Sequence, residues 1–568
     1  MKTRPSRANR SKAPAWFLLT WILVSFSSAA TRAGPAPTEP PSSSSRLATL
    51  SPVEGVTSAL GLPPAATVLR LEEASLAGIR SRLEGRLLIP RQQGGALSLD
   101  LERFEVLPPG AVIRVTRDHG TEALPVDVIL FRGKVTGDSS SRAVVSFSRL
   151  GLLGMVESGG ARSVLAPAWA FPREPGETPL LAICPDDSAP SHFGSFLCGT
   201  DDRPPADFAR GQAGDARAVV TNATPLSATV AIDCDFDFYT ALGSDAVAAA
   251  DYVITLMGVI STLYEEQVAT SLGVFDLHVW STPDPYASAT TSYAKLALFA
   301  IRWNAERADV VRDVAVLLAG THIGGIAAGV GSLGQRDGAY VVCGLQGSYT
   351  YPTPSPTWDV FSLSHEMGHI FGSPHTHSCW WQEHGYTPSG ALLDTCYVAK
   401  CAENQESYCY SGPLGSLGTA SCGHTGFVPP DKGTLMSYCH TNPGWVDNVR
   451  LEFHPACRTM IRLGAEAALG ANHAAPISRA LLAPPIPNPA SDATTLRFWL
   501  PRAGRASLEI LDISGRRLWR TEADLAAGIH DQRWDGRSSR GARVSAGLYF
   551  VRLSTPWGDR MGRLVRLR

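Results

Sequence analysis

No charge of either sign dominates this chain: 50 Lys and Arg stand against 52 Asp and Glu, a net charge of -2 over 568 residues. That balance excludes the basic footprint of a nucleic-acid binder or of a protein held on an anionic membrane surface. Lysine is scarce beside arginine, which reflects genomic base composition rather than function. Long apolar runs are missing beyond the N-terminus. The stretch 314–331 is interrupted by His322 and several glycines, so it reads as a buried strand plus loop, and no later segment reads as a transmembrane anchor. Paired C-x-x-C spacings are lacking too, which argues against a structural zinc site built from cysteines.

What is present begins with a targeting pattern. Lys2, Arg4, Arg7, Arg10 and Lys12 precede a short apolar stretch at 15–26, followed by Ser28, Ala29 and Ala30. Residues 1–30 are therefore expected to be a signal peptide, cut after Ala30 or Ala33, because the apolar stretch is short for a membrane anchor. An exported chain with 11 cysteines is expected to carry disulfides, and the odd number leaves one over. Most of them (Cys343, Cys379, Cys396, Cys401, Cys409, Cys422, Cys439 and Cys457) lie around or after residues 365–375, which predicts a loop-rich lobe held by disulfides.

The length suggests roughly three or four domains. Residues 31–66 are rich in Pro, Ser and Ala and read as a disordered leader. Short apolar-rich stretches such as 111–115 and 143–147 make 67–210 a β-rich region, ending in a polar, Pro-containing link over 201–215. From 215 to 475 the pattern alternates: strands at 227–239, 273–280, 314–318 and 338–344, and helices at 244–266, 292–307 and 359–371, an α/β sheet. A Pro-rich linker at 476–490 leads to 491–568, whose alternating runs at 508–512 and 547–551 predict a small all-β sandwich. The fold class expected is multidomain: β-rich, then α/β, then all-β.

The most specific feature is His365-Glu366-Met367-Gly368-His369-Ile370-Phe371-Gly372-Ser373-Pro374-His375, or H-E-x-x-H-x-x-G-x-x-H. Residues four apart share a helix face, so His365 and His369 can hold one metal ion. Glu366 sits beside them, placed to take a proton from a metal-bound water. Gly372 permits the left-handed turn that ends a helix, and His375 returns as third ligand, leaving a fourth zinc position open.

Downstream, Gly433-Thr434-Leu435-Met436-Ser437-Tyr438 follows. Together with the histidine motif it resembles the metzincin metalloproteases, in which a Met-containing turn, here at Met436, lies under the zinc. Within them the chain is most similar to the adamalysin/reprolysin branch. The run 325–333 looks like that branch's loop and edge strand at the substrate cleft, implying substrate contacts at Gly329, Gly331, Ser332 and Leu333. The runs 131–135, 143–146 and 151–154 resemble reprolysin-type propeptides. Phe196-Leu197-Cys198-Gly199-Thr200 resembles a cysteine switch, which implies a Cys198 thiolate on the open zinc position. A disulfide to the nearby Cys184 is the competing reading. Two departures stand out: Thr376 and His377 follow His375 where the branch has Asp, and Tyr438 follows the methionine as in astacin-like and serralysin-like enzymes. Tyr438 is read either as a zinc-side hydroxyl stabilising the oxyanion or as a packed aromatic. The branch's calcium sites imply Asp313 as a Ca2+ ligand, against a solvated or capping Asp.

The C-terminal runs 488–490, 511–516, 534–537 and 547–551 resemble bacterial immunoglobulin-like domains of the flagellar-hook-capping and type IX sorting kind. That implies either contact with export or cell-surface machinery or a plain spacer. The resemblances together imply a secreted, bacterial, zinc-dependent metalloendopeptidase made as a latent precursor, acting on protein or peptide substrates with Glu366 as general base. The rival is an exported adhesion protein keeping an inactive zincin scaffold. Processing is expected within 201–220, where no dibasic pair occurs and Arg210 and Arg217 are the candidates.

Overall fold

Alternation in the N-terminal strands gives them two buried faces. Ile129, Phe131, Ala143, Val145 and Phe147 enter one apolar cluster, while Leu130 and Val144 enter another, as a period of two requires. The computed structural model describes residues 46–568 apart from 73–75, 92–94, 150, 169–179, 186–197, 201–223, 322–323, 346–355, 379, 388–392, 395, 399–422, 425–431, 443–444, 471–479, 484, 501 and 568. The expected signal peptide, the leader up to residue 45 and the processing link lie outside the described residues.

A ten-stranded sheet begins at Arg46–Ala48 and Leu50–Pro52, so ordered structure starts inside the expected leader. Leu47, Ala48 and Leu50 explain this: each is buried in the sheet's outer cluster. The other face of the sheet packs on the helix Ala246–Val268, and their residues share one core with the rest of the α/β region. Arg132 and Arg142 reach Glu265 and Glu266 across this boundary.

The central sheet has seven strands in the order Gly325–Ala327, Tyr340–Gly344, Val314–Ala319, Leu226–Cys234, Thr270–Trp280, Val112–Arg117 and Gly120–Ala123. The last two were expected in the N-terminal β region. Instead Val112–Arg117 pairs in parallel with Thr270–Trp280, where Arg114 meets the buried Asp276 and Thr116 Oγ1 meets His278 Nε2 at 2.7 Å. The strand expected over 227–239 stops at Cys234, because Asp235 caps a short helix, Phe236–Ala241, by accepting from Phe238 N–H at 2.8 Å.

Ala246–Val268 is long and apolar enough to cross a membrane, but 94% of its most apolar window is buried within the fold, as a core helix requires. The motif helix, Pro356–Ile370, lies against it: Tyr264 OH donates to Ser364 O at 3.0 Å, and Tyr252 OH binds Asp359. At the C-terminus, a three-stranded and a four-stranded sheet enclose a separate apolar cluster. The expected linker is partly built into it, since Leu481–Leu482 pairs with Thr494–Leu500.

Candidate metal centre

The motif helix ends as its glycine requires. Gly372 has φ +116°, and Ser373 N–H reaches back to Gly368 O at 3.0 Å. The turned chain brings His375 round, with His369 and His375 Nε2 atoms 3.2 Å apart. Cys198 Sγ, 3.5 Å from His369 Nε2, completes a group whose four ligand atoms all lie within 4.8 Å of one another. The donor chemistry fits a cation. His365 Nδ1 faces Leu435 O and His369 Nδ1 faces Ser373 O, both at 2.7 Å, which assigns the ring protons to Nδ1. The Nε2 lone pairs of His365 and His369 are thus left as acceptors in the cluster, and a cation relieves the facing of His369 and His375.

Glu366 is fully buried beside this group, and burial pushes its carboxyl up to about 8. Burial, and then the Glu366 carboxylate, push the Cys198 thiol well up, while burial and the neighbouring imidazoles push His365 well down. A cation in the cluster acts against the rise at Glu366 and Cys198 and reinforces the fall at His365, keeping that imidazole neutral as a ligand must be. Glu366 Oε2 accepts from Cys198 Sγ and from Thr200 Oγ1, each at 3.3 Å, and Thr200 Oγ1 in turn accepts from Ala327 N–H at 2.8 Å.

Met436 lies under the helix. Gly368 faces its sulfur so closely that an added Cβ would sit 2.5 Å from Sδ, and Thr376 N–H donates to Met436 O at 3.0 Å. Asp394 fixes the same turn by accepting from Thr434 Oγ1 at 2.6 Å, next to the Cys396–Cys439 disulfide. Tyr438 OH brackets the Cys198 peptide, accepting from its N–H and donating to its C=O, each at 3.0 Å. His377 stacks on His375 with ring centroids 4.9 Å apart and stays outside the ligand group.

Several expectations need correction. Cys198 is a free thiol, so the Cys184–Cys198 disulfide is absent. Cys234, Cys343 and Cys457 are also free and buried, so the odd cysteine count does not single out Cys198; apolar packing accommodates the other thiols. The edge strand is Gly325–Ala327, while Gly329, Gly331, Ser332 and Leu333 follow it in a loop. Gly331 N–H binds His369 O at 2.8 Å and Leu333 N–H binds Ile370 O at 3.0 Å, ties to the motif helix that turn the chain away from the sheet edge. Asp313 accepts from Thr229 N–H at 2.7 Å and joins no ligand group among the described residues. Thr200 and Asp394 were not singled out. Thr200 lies two residues beyond Cys198 in the run already quoted, whereas nothing in the local sequence marks Asp394.

The fold and this cluster define a metallopeptidase site. Residues 226–410 match the family model described as Reprolysin_5, metallo-peptidase family M12, so this segment resembles the M12 metallopeptidases as its motifs imply. Among solved structures, metalloproteinase-II from Bacteroides fragilis is similar at 14% identity over 53% of this chain and 86% of that one, with a TM-score of 0.31. Latent PorU from Porphyromonas gingivalis matches 16% of this chain at 22% identity and a TM-score of 0.14, and this chain spans only 9% of its length. FlgD from Xanthomonas campestris matches 16% of this chain and 67% of its own at 24% identity, with a TM-score of 0.12. TM-scores this low carry no argument from shared geometry. No curated protein matches the chain.

Proposed function

We propose that the chain is a secreted zinc-dependent endopeptidase of reprolysin-like type, made as a latent precursor. One observation carries this reading: the Cys198 thiol converges with His365, His369 and His375 beside a buried Glu366. Zinc held by the three histidines would supply polarisation of the scissile carbonyl and a more acidic water. Glu366 takes the water proton at Oε2 and returns it to the leaving amine. In the precursor, Cys198 and Thr200 engage that same oxygen, so the base and the fourth ligand position are blocked together. Tyr438 holds the switch peptide while latent and is freed to stabilise the oxyanion once it departs. The substrate backbone pairs along Gly325–Ala327, whose Gly325 C=O already accepts from Gly199 N–H at 2.9 Å. Export is supported by the N-terminal signal pattern, and the two C-terminal sheets suit an immunoglobulin-like module for sorting or attachment.

The test compares casein hydrolysis by the processed protein and by its Glu366→Gln variant, with bound zinc measured in both. A drop of about 10²–10⁴-fold with zinc retained is expected for loss of a general base. Equal turnover, or zinc lost with Glu366 rather than with the histidines, refutes the assignment.

A further inference from the structure

A cavity of about 820 Å³ opens where the switch segment leaves the metal centre. One side is Gly199 and the start of the Ser292–Glu306 helix with Tyr293; the other is Pro487 and neighbouring prolines with Met561 and Arg563 of the C-terminal sheets. Tyr293 and Met561 are large apolar side chains left 52% and 51% exposed here. The two walls are held together by packing. Ile326, on the cleft's edge strand, belongs to one apolar cluster with Ala289, Ala483 and Trp499, so the C-terminal unit is anchored directly beside that strand. Gly199 joins the two sites: its N–H pairs with Gly325 O, and its Cα lies so near Ile326 that an added Cβ would meet Cδ1 at 3.1 Å.

We infer that this cavity is an extended subsite of the substrate cleft, resting on the endopeptidase reading above. Its occupant is an unfolded polypeptide that runs along Gly325–Ala327 and enters the cavity one residue beyond the position of Cys198. Tyr293, the proline rings and Met561 receive apolar side chains, and Arg563 receives an acidic one. The C-terminal unit is thus a wall of the cleft, and the preferred substrates are extended acidic-apolar chains rather than short peptides.

Two measurements separate this inference from the reading it rests on. In the first, the processed protein carrying Glu366→Gln is titrated into fluorescein-labelled, reduced and carboxymethylated lactalbumin, a permanently unfolded acidic chain, and polarisation is read without turnover. Met561→Asp and the surface change Arg563→Glu are each expected to weaken binding on the order of tenfold. Unchanged binding in both variants, or no binding by the parent chain, overturns the subsite. In the second, the processed protein and both variants hydrolyse the same unfolded chain and a peptide of about five residues. A loss of kcat/KM confined to the long substrate is expected. Equal effects on both substrates overturn the subsite, whereas a parent protein that cleaves neither refutes the peptidase reading and leaves the binding result to decide the cavity.

Discussion

Gly325→Ala probes the proposed general base, Glu366, without altering a proposed metal ligand. A Cβ built on Gly325 would lie 2.2 Å from Glu366 Oε1, 2.6 Å from Cδ and 2.7 Å from Cγ. Ordinary contact needs about 3.4 Å or more, so the carboxyl must move by roughly 1 Å or the strand must shift. Glu366 is fully buried, and the strand is paired with Tyr340–Gly344, so neither retreats freely. Overpacking of this kind costs about 1–3 kcal/mol, part of it offset by the roughly 0.5–1 kcal/mol gained when Ala replaces Gly in a strand. Folding should therefore survive. A base displaced by about 1 Å loses around 10²-fold in rate, or about 2.7 kcal/mol of transition-state stabilisation. The three atoms nearest that Cβ all belong to Glu366 and none to His365, His369 or His375, so zinc stoichiometry should be unchanged.

The assay is fluorogenic peptide hydrolysis by the processed protein, with zinc measured in parallel. Gly329→Ala is the internal control, because nothing lies within 4 Å of its added Cβ; it should stay within about twofold of the parent. A Gly325→Ala protein with parental kcat would refute the role given to Glu366. Loss of zinc in that variant would refute the claim that the glycine clears space for the base alone.

Three further outcomes follow from the same geometry. Removing either latch should raise activity of the unprocessed precursor: Cys198→Ala by about tenfold or more, and Thr200→Val by a smaller factor because Cys198 still fills the fourth position; an unchanged rate in both denies the latency reading. His375→Ala should abolish stoichiometric zinc and, with it, activity, and a chelator should do the same reversibly to the parent; activity surviving either treatment excludes the metal chemistry. Asp251, buried on the Ala246–Val268 helix, has its carboxyl raised from 3.8 to about 7, chiefly by burial and eased by the Ser148 hydroxyl. Because its folded pKa is raised, stability is fullest below about pH 4 and is lost as pH rises toward 7. Asp251→Asn should thus raise Tm at pH 8, by up to ~4 kcal/mol in stability terms, and leave it nearly unchanged at pH 4; an equal gain at both pH values contradicts this origin.

What was legible in advance was local. The spacing of His365, His369 and His375 implies one helix and one turn, and both form. The long helix at 246–268 and the strand at 314–319 were expected within about two residues of their bounds, because apolar content and length leave little choice. What escaped were contacts that join distant segments. Thr200 meets Glu366 across 166 residues, and Asp394 meets Thr434 across 40, with no periodicity to announce either. Val112–Arg117 has strand character wherever it sits; only its Arg114–Asp276 and Thr116–His278 pairings select the central sheet over the N-terminal one. Cysteine counting failed for a related reason, since parity constrains disulfides only when thiols are not stored in apolar cores.

These pairings also bear on how the proposed latency would be released. Strand Val112–Arg117 extends the central sheet, and Leu130, Val144, Leu153 and Met155 share one core with the Ala246–Val268 helix. Withdrawing the whole N-terminal region would uncover that core and the long edge Thr270–Trp280, at about 25 cal/mol per Å2 of apolar surface. On the proposed reading, the contacts that would block chemistry among the described residues are fewer: Cys198 Sγ and Thr200 on Glu366, Cys198 Sγ beside His369, the Cys198 peptide on Tyr438, Thr200 on Ala327 and Gly199 on Gly325. The two sets of contacts are therefore unequal in strength. If the proposed latency holds, a cut in the link after Thr200 would free the weak set while the strong set persists, and activation would require only that the switch segment lift off a sheet still completed by the N-terminal strands.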